Sequence, residues 1–171
     1  MVQNKRRELQ GKRIAVVGGF GFIGSHLANA LCKKNDVVAI GKTLHPHVHP
    51  KVTQLRYDIL SDDFLTYLTK QDFDIVIHLA GTSEIWSSFK NPEREFKLNE
   101  ESTKRILECL SKKEKKPLFV YASTIGADSD PSIRYLYSRW LAEQETERSP
   151  IPHTIVRFSV AFGEGDEFFN M

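Results

Sequence analysis

The segment Val17-Gly18-Gly19-Phe20-Gly21-Phe22-Ile23-Gly24 decides how this chain folds. It follows residues 13–17, a short β-branched run that predicts a buried strand. A predicted helix, residues 22–34, begins within this segment, because the apolar positions there recur with the period of a helix. The chain therefore begins with a strand, a glycine-rich turn and a helix, which together open a βαβ unit.

Three glycines spaced three apart in this turn predict a binding site for a pyrophosphate. Such a group needs free backbone N–H groups and the positive end of a helix dipole. We expect Gly18 to make the tight turn, Gly21 to let the backbone approach the phosphates, and Gly24 to let the helix pack on the sheet. A tight strand–helix turn that binds nothing is the alternative interpretation.

The remaining sequence alternates apolar strand-like runs with longer amphipathic runs. The strands are predicted at residues 13–17, 36–41, 52–58, 74–79, 118–123 and 153–158. The helices are predicted at residues 22–34, 61–70, 92–113 and 132–147. Strands that are apolar on both faces and separated by helices predict an α/β fold, a doubly wound parallel sheet covered on each side.

Composition and charge set limits on the class of protein. The chain has 24 Lys+Arg against 22 Asp+Glu, so a net charge of +2 favours neither nucleic acid nor a membrane surface as a partner. No run approaches the roughly 18 apolar residues of a membrane span. We predict one domain over residues 1–171, of which residues 1–11 form a basic N-terminal extension.

Cysteine and histidine usage gives no support for a metal centre. Cys32 and Cys109 lie far apart within predicted helices, so a disulfide framework is not expected and a reducing, cytoplasmic location is. The run His45-Pro46-His47-Val48-His49-Pro50 places three histidines on one side of an extended segment. No carboxylate or cysteine accompanies them, and a loop of turn residues is favoured over a metal site.

Several ordered motifs resemble those of the extended short-chain dehydrogenase/reductase family, the nucleotide-sugar epimerases and dehydratases. The family fingerprint Thr-Gly-Gly-x-Gly-Phe-Ile-Gly matches the glycine turn except at Val17. Further similarities are His78-Leu79-Ala80-Gly81, the helical spacing around Asn99, and residues 155–166. The resemblance covers residues 12–166 and implies a Rossmann NAD(P)-binding fold with oxidoreductase, isomerase or lyase activity on a nucleotide-sugar.

The resemblance also implies which residues contact the dinucleotide. They are Gly18, Gly21, Phe22, Ile23, Gly24, Lys42, Asp58, Ile59, Leu79, Ala80, Gly81, Asn99, Tyr135 and Arg139. Gly41 stands where the family has a ribose-binding Asp, and Lys42 follows, so we expect NADP rather than NAD. An ordinary loop lysine at 42 and a turn residue at Asp58 are the alternatives.

The catalytic roles implied by the resemblance fall on Thr124, Tyr135 and Arg139. A phenol with a pKa near ~10 acts as an acid/base near neutrality only beside a cation that stabilises the phenolate. Arg139 stands where the family has Lys, and a planar guanidinium is not equivalent to an ammonium group. A surface Tyr and an i,i+4 helix charge are the alternative. His78 could be proposed as a base, but a packed, hydrogen-bonded core histidine is favoured.

Two departures from the family bear on activity. Only 11 residues separate Thr124 from Tyr135, where extended members carry a longer loop. The 171 residues contain little of the family's C-terminal substrate lobe. Three interpretations therefore stand: an epimerase/dehydratase-like enzyme, a catalytically impaired dinucleotide-binding module that acts as a sensor or assembly subunit, or a fragment of a longer enzyme. A homodimer paired through 92–113 and 132–147 is a further implication of the resemblance.

Overall fold

The computed structural model describes residues 9–44, 48–82, 85–163 and 165, in which six parallel strands form one sheet. The strands are β1 (Arg13–Val17), β2 (Asp36–Gly41), β3 (Thr53–Arg56), β4 (Ile75–His78), β5 (Leu118–Thr124) and β6 (His153–Phe158). Their order across the sheet is β3-β2-β1-β4-β5-β6, the order of a Rossmann fold. The predicted doubly wound parallel sheet is confirmed.

In the part of the chain that the structure describes, six α-helices and one π-helical turn connect the strands. They are α1 (Phe22–Leu31), α2 (Asp62–Lys70), α3 (Ile85–Lys90), α4 (Pro92–Glu95), the π turn (Phe96–Glu101), α5 (Ser102–Ser111) and α6 (Arg134–Arg148). Ser61 caps α2 as expected, because its side chain accepts from the Phe64 N–H at 3.2 Å. Pro92 stands in the first turn of α4, where its missing N–H costs nothing.

Two apolar layers cover the two faces of the sheet. On one face, α1 packs over alternate residues of the central strands, among them Val16, Ala39 and Ile77. On the other face, α2, α5 and α6 pack over Val38, Ile40, Phe119 and Tyr121. Since the central strands are buried on both sides, their sequences read as continuous apolar runs.

The predicted helix 92–113 is wrong in one respect, because it is not a continuous α-helix. The π turn interrupts it, and at this turn the fully buried Asn99 points its side chain out of the helix to other elements. The hydroxyl of Thr103 donates to the Asn99 carbonyl at 2.5 Å. A π turn inside a helix commonly marks a functional position, and here it places Asn99 against the segment that follows β4 and against α6.

The reversal of strand order between β1 and β4 forms a crevice at the carboxyl edge of the sheet. The N–H groups of Leu79 and Ala80, just after β4, both donate to the carbonyl of Val17 at the end of β1, at 2.8 and 3.0 Å. Ligands of open α/β sheets bind at such a switch point. The glycine turn therefore lies where a ligand site is expected.

Some sequence predictions fall on residues outside the described ranges. Residues 1–8 of the basic extension, His45 to His47 of the histidine run, and Glu164 with residues 166–171 are among them. Within the described ranges, the structure has no helix long and apolar enough to cross a membrane.

Candidate functional site

The glycine turn closes tightly on the end of β1. Gly18 has φ +86°, a conformation that L side chains rarely adopt, and its N–H donates to the carbonyl of Ile40 at 2.8 Å. A Cβ on Gly18 would stand 2.5 Å from the backbone nitrogen of Ala80. A Cβ on Gly24 would collide with the carbonyl oxygen of Gly18. Gly24 thus lets α1 approach the turn itself rather than a strand of the sheet.

Gly21 differs from the other two glycines because it faces open space. The nearest atom to a Cβ built on Gly21 is the Gly18 carbonyl oxygen, at 3.5 Å, and the residue is exposed. Gly21 is the N-cap of α1 and provides no side-chain cap, and the first turn contains no acidic residue. The first N–H groups of α1, from Phe22, Ile23 and Gly24, lack acceptors within the helix. This helix end can receive an anion.

Lys42 and Asp58 form an ion pair at the ends of β2 and β3. Lys42 Nζ lies 3.0 Å from Asp58 Oδ2, and the two side chains are 61% and 45% exposed. Burial pulls the pKa of Asp58 upward, but the Leu60 N–H and Lys42 outweigh it and hold the pKa below its usual value. Exposed pairs of this kind contribute about 0–1 kcal/mol, so Lys42 can be shared with an anionic ligand at small cost.

Asp58 stabilises the turn before α2, as the alternative interpretation of this residue predicted. Its Oδ1 accepts from the Leu60 N–H at 3.0 Å, and its carbonyl accepts from the Ser61 N–H at 3.0 Å. Ile59 beside it is buried in the core under α2. The turn role leaves the carboxylate of Asp58 half-exposed at the mouth of the crevice.

A buried polar network lies beneath the end of β4. The Asn99 side chain donates to the hydroxyls of Thr82 and Ser138, at 3.0 and 2.9 Å, and accepts from the Thr82 N–H at 3.0 Å. The fully buried Glu95 accepts from the Thr82 hydroxyl. Gly81, at φ +151°, leaves room for this network, because a Cβ there would press on Asn99 Oδ1 and lie 2.8 Å from Arg139 Nη2.

Arg139 links the ends of two strands from inside the protein. It is 6% exposed, and its Nη2 donates to the Thr82 carbonyl at 2.7 Å while Nη1 donates to the Ala122 carbonyl at 3.1 Å. Nη1 also lies 3.4 Å from the hydroxyl of Tyr121. Burial disfavours the charge, but Tyr121 and Tyr135 more than compensate and raise the pKa of Arg139. The guanidinium is therefore a permanent buried cation.

Tyr135 lies beside this cation, and Thr124 lies at the end of β5. The half-buried Tyr135 ring has its centroid 5.7 Å from Arg139 Cζ, a cation–π distance. Thr124 ends β5, and its hydroxyl is 3.4 Å from the carbonyl of Ile125. No hydrogen bond among the described residues joins Thr124 to Tyr135. The structure thus brings Tyr135 and Arg139 together and leaves the Thr124 hydroxyl directed along its own strand end.

His78 is a core residue, and one part of its prediction is wrong. It is fully buried, with its ring 6.1 Å from that of Phe119 and 5.8 Å from that of Tyr121. It was expected to be hydrogen-bonded, yet neither ring nitrogen has a partner in the described chain, because both neighbours present aromatic rings. Burial, reinforced by the charge of Arg139, lowers the pKa of His78 to about 3. A neutral histidine of this kind is a poor general base.

Comparison with known proteins identifies the family. Residues 14–168 match the family model described as "NAD dependent epimerase/dehydratase family". The chain belongs to the NAD-dependent epimerase/dehydratase family.

Relatives within the epimerase/dehydratase family act on different sugars. A UDP-N-acetyl-alpha-D-glucosaminuronate decarboxylase of Bacillus cytotoxicus is 28% identical over 89% of this chain and 55% of its own length. A UDP-glucose 4-epimerase of Streptococcus mutans is 32% identical over 57% of this chain and 32% of its own. The chain spans about half the length, or less, of these relatives.

A solved structure of the epimerase/dehydratase family gives the same fold. A UDP-glucuronic acid 4-epimerase from Bacillus cereus, in complex with UDP-glucuronic acid and NAD, is 26% identical with a TM-score of 0.72. The match covers 85% of this chain and 55% of that one. The Rossmann part of the family is therefore the part that this chain contains.

Sequence reasoning missed three members of the site. Thr82 and Glu95 complete the network around Asn99, and Tyr121 approaches Arg139 from β5. A buried acid such as Glu95 leaves little signal, because it lies in a polar stretch that reads as an exposed helix end. Tyr121 alternates with Phe119 along an apolar strand and reads as an ordinary core residue.

Proposed function

We propose that this chain binds a nicotinamide dinucleotide at the carboxyl edge of its sheet and forms the cofactor-binding half of a nucleotide-sugar epimerase or dehydratase. The observation that carries the proposal is the glycine turn, where Gly21 faces open space in front of the uncapped first turn of α1. Backbone N–H groups and the helix dipole together suit a pyrophosphate. Leu79 and Ala80 provide a half-buried floor beside it.

The bound dinucleotide would accept a hydride from a sugar carbon and return it. Tyr135 would hold or release the proton of the sugar hydroxyl that reacts at that carbon. Arg139 supports this role because it places a permanent positive charge beside the phenol ring, and such a charge stabilises a phenolate. Thr124, at the end of β5, would hydrogen-bond the same hydroxyl.

A preference for NADP over NAD belongs to the same proposal. The acid that would repel a 2′-phosphate is absent at Gly41, and Lys42 is the adjacent residue. Lys42 is paired with Asp58, but this exposed pair is weak enough for a phosphate to compete for the ammonium group.

The competing candidate is a dinucleotide-binding module without turnover. The arrangement of Arg139 favours it, because both terminal nitrogens donate to protein groups, the Thr82 and Ala122 carbonyls, rather than to the open crevice. A lysine at this position would be expected to hold the nicotinamide ribose. Both candidates bind the cofactor, but only the enzyme converts a substrate. Two predictions stay untested: the pairing of two copies through residues 92–113 and 132–147, and a cytoplasmic location.

Titration of the purified 171-residue protein with NADP(H) and NAD(H), followed by calorimetry or nicotinamide fluorescence, tests the proposal. Saturable binding of either dinucleotide is expected, with NADP the tighter, and binding of neither would contradict it. Tyr135→Phe then separates the two candidates, because it removes only the hydroxyl. An enzyme loses turnover of UDP-sugars and keeps its dinucleotide affinity in this variant, whereas a binding module shows no turnover in either form.

A further inference from the structure

The ring of Phe20 fills the space beside Gly41 where the family has its acid. Phe20 lies inside the glycine turn, is 9% exposed and belongs to the apolar core under α1. A Cβ built on Gly41 would stand 2.7 Å from Phe20 Cδ2, closer than real Cβ contacts come. An aspartate at position 41 would have to displace a buried aromatic ring.

The ring has little freedom to move away. The backbone on either side of Phe20 is held, since the Gly19 N–H donates to the Ile40 carbonyl at 3.1 Å and the Gly21 N–H donates to the Gly18 carbonyl at 3.1 Å. The first of these bonds ties the glycine turn to β2 itself. Phe20 and Gly41 therefore depend on each other: while the Phe20 ring occupies this space, position 41 has no room for a side chain.

The face of the sheet that carries Gly41 has a cation at the end of β3. Arg56 pairs in register with Gly41, and side chains at paired positions of parallel strands point to the same face. Gly41 points towards Phe20 and α1, whereas Leu55, one residue before Arg56, packs in the opposite core. Arg56 is exposed and forms no ion pair with another described residue. Position 41 is thus bordered by Phe20 and Arg56, and the next residue, Lys42, forms its exposed ion pair with Asp58.

We propose that Phe20 is a specificity-determining residue, which excludes an acid from position 41 and thereby leaves the adenosine-ribose end of the crevice to Lys42 and Arg56, so that the site takes a dinucleotide with a 2′-phosphate. This inference rests on the proposed function, because it assumes that a dinucleotide binds at the glycine turn. It goes further by naming the residue that sets the choice between two dinucleotides.

A double-mutant cycle tests the inference, with thermal melting and fluorescence titration of NADPH and NADH as the two readouts. The variants are Gly41→Asp, Phe20→Ala and the two combined. Gly41→Asn, made alone and together with Phe20→Ala, is the matched control, because it adds nearly the same volume without a charge. Both substitutions at 41 are expected to lower the melting temperature when Phe20 is present and to lower it much less in the Phe20→Ala background.

The binding readout follows the same logic. Only the combined variant is expected to shift the preference towards NADH, by at least about tenfold, or about 1.4 kcal/mol. A gain of NADH affinity in Gly41→Asp alone, with an unchanged melting temperature, would overturn the role of Phe20. If neither dinucleotide binds any of the proteins, the proposed function itself is wrong, and the specificity role is lost with it.

Discussion

Replacing Arg139 by Lys should destabilise the protein measurably, because one ammonium group cannot reproduce the two-strand link. The guanidinium donates from separate nitrogens to Thr82 O at 2.7 Å and Ala122 O at 3.1 Å, in a position 6% exposed. An ammonium on a flexible stem is a single point charge. We expect it to keep one of these bonds and to leave the other carbonyl without its donor.

The size of the loss in stability follows from the loss of one hydrogen bond. Loss of one hydrogen bond to a charged group costs about 1.5–3 kcal/mol. For a chain of this size each kcal/mol corresponds to about 2–4 °C in melting temperature. The variant should therefore melt about 3–12 °C below the wild type, and urea unfolding should give the same loss of free energy.

Arg134→Lys provides the matched control for this measurement. Arg134 is the exposed first residue of the same helix, α6, so the identical substitution there should change stability by less than about 0.5 kcal/mol. If Arg139→Lys were as stable as this control, the link between β4 and β5 through Arg139 would not stabilise the fold as argued. Any turnover is measured on the same samples, and a weakened enzyme should gain activity from the restored lysine.

Two further predictions concern the glycine turn and the buried His78. Gly21→Ala should fold with nearly unchanged stability, because its Cβ meets only the Gly18 oxygen, at 3.5 Å. The variant should lose dinucleotide affinity, because this Cβ projects into the proposed phosphate site. Gly24→Ala should lower the melting temperature as well, since its Cβ collides with the turn. Equal melting temperatures for the two variants would contradict this. Because His78 has a pKa of about 3 when folded and near 6.5 when unfolded, the unfolded chain binds an extra proton between these values, and the free energy of unfolding should fall by about 2 kcal/mol from pH 7 to pH 5. Urea unfolding at both pH values should show this fall strongly reduced in His78→Leu, and an identical pH dependence in that variant would exclude His78 as its source.

The fold was predictable because strands that are buried on both faces of a sheet are continuous apolar runs in the sequence. Residues 13–17, 36–41 and 153–158 were predicted with the bounds that the structure has, and Ser61 was identified as a cap. Bounds of the shorter strands were less accurate, since β3 spans Thr53–Arg56 where residues 52–58 were expected. The short helix α3 was not predicted, because six residues hold too little periodicity.

Contacts between distant residues account for what sequence reasoning could not supply. The π turn depends on where the buried side-chain amide of Asn99 finds hydrogen-bond partners, and these come from the segment after β4 and from α6. The fit of Phe20 against Gly41 joins two positions 21 residues apart that follow no shared motif. The sequence shows that Lys42 follows Gly41, where the family has an acid. It does not show that Lys42 pairs with Asp58, because that contact depends on the ends of β2 and β3 lying side by side.

The central position of β1 dictates how the nascent chain can complete its sheet. β2 and β3 follow β1 closely, so residues 13–56 can pair into a three-stranded half while later residues are still being synthesised. The other side of β1 pairs with β4, and that register, Ile14↔Ile75 to Val17↔His78, requires the chain to have been made as far as residue 78. Until then an apolar strand has one open edge, which is prone to pair with other chains. While residues 57–78 are being synthesised, β1 is therefore the open edge of the incomplete sheet, and after that β4 takes this place until β5 is made.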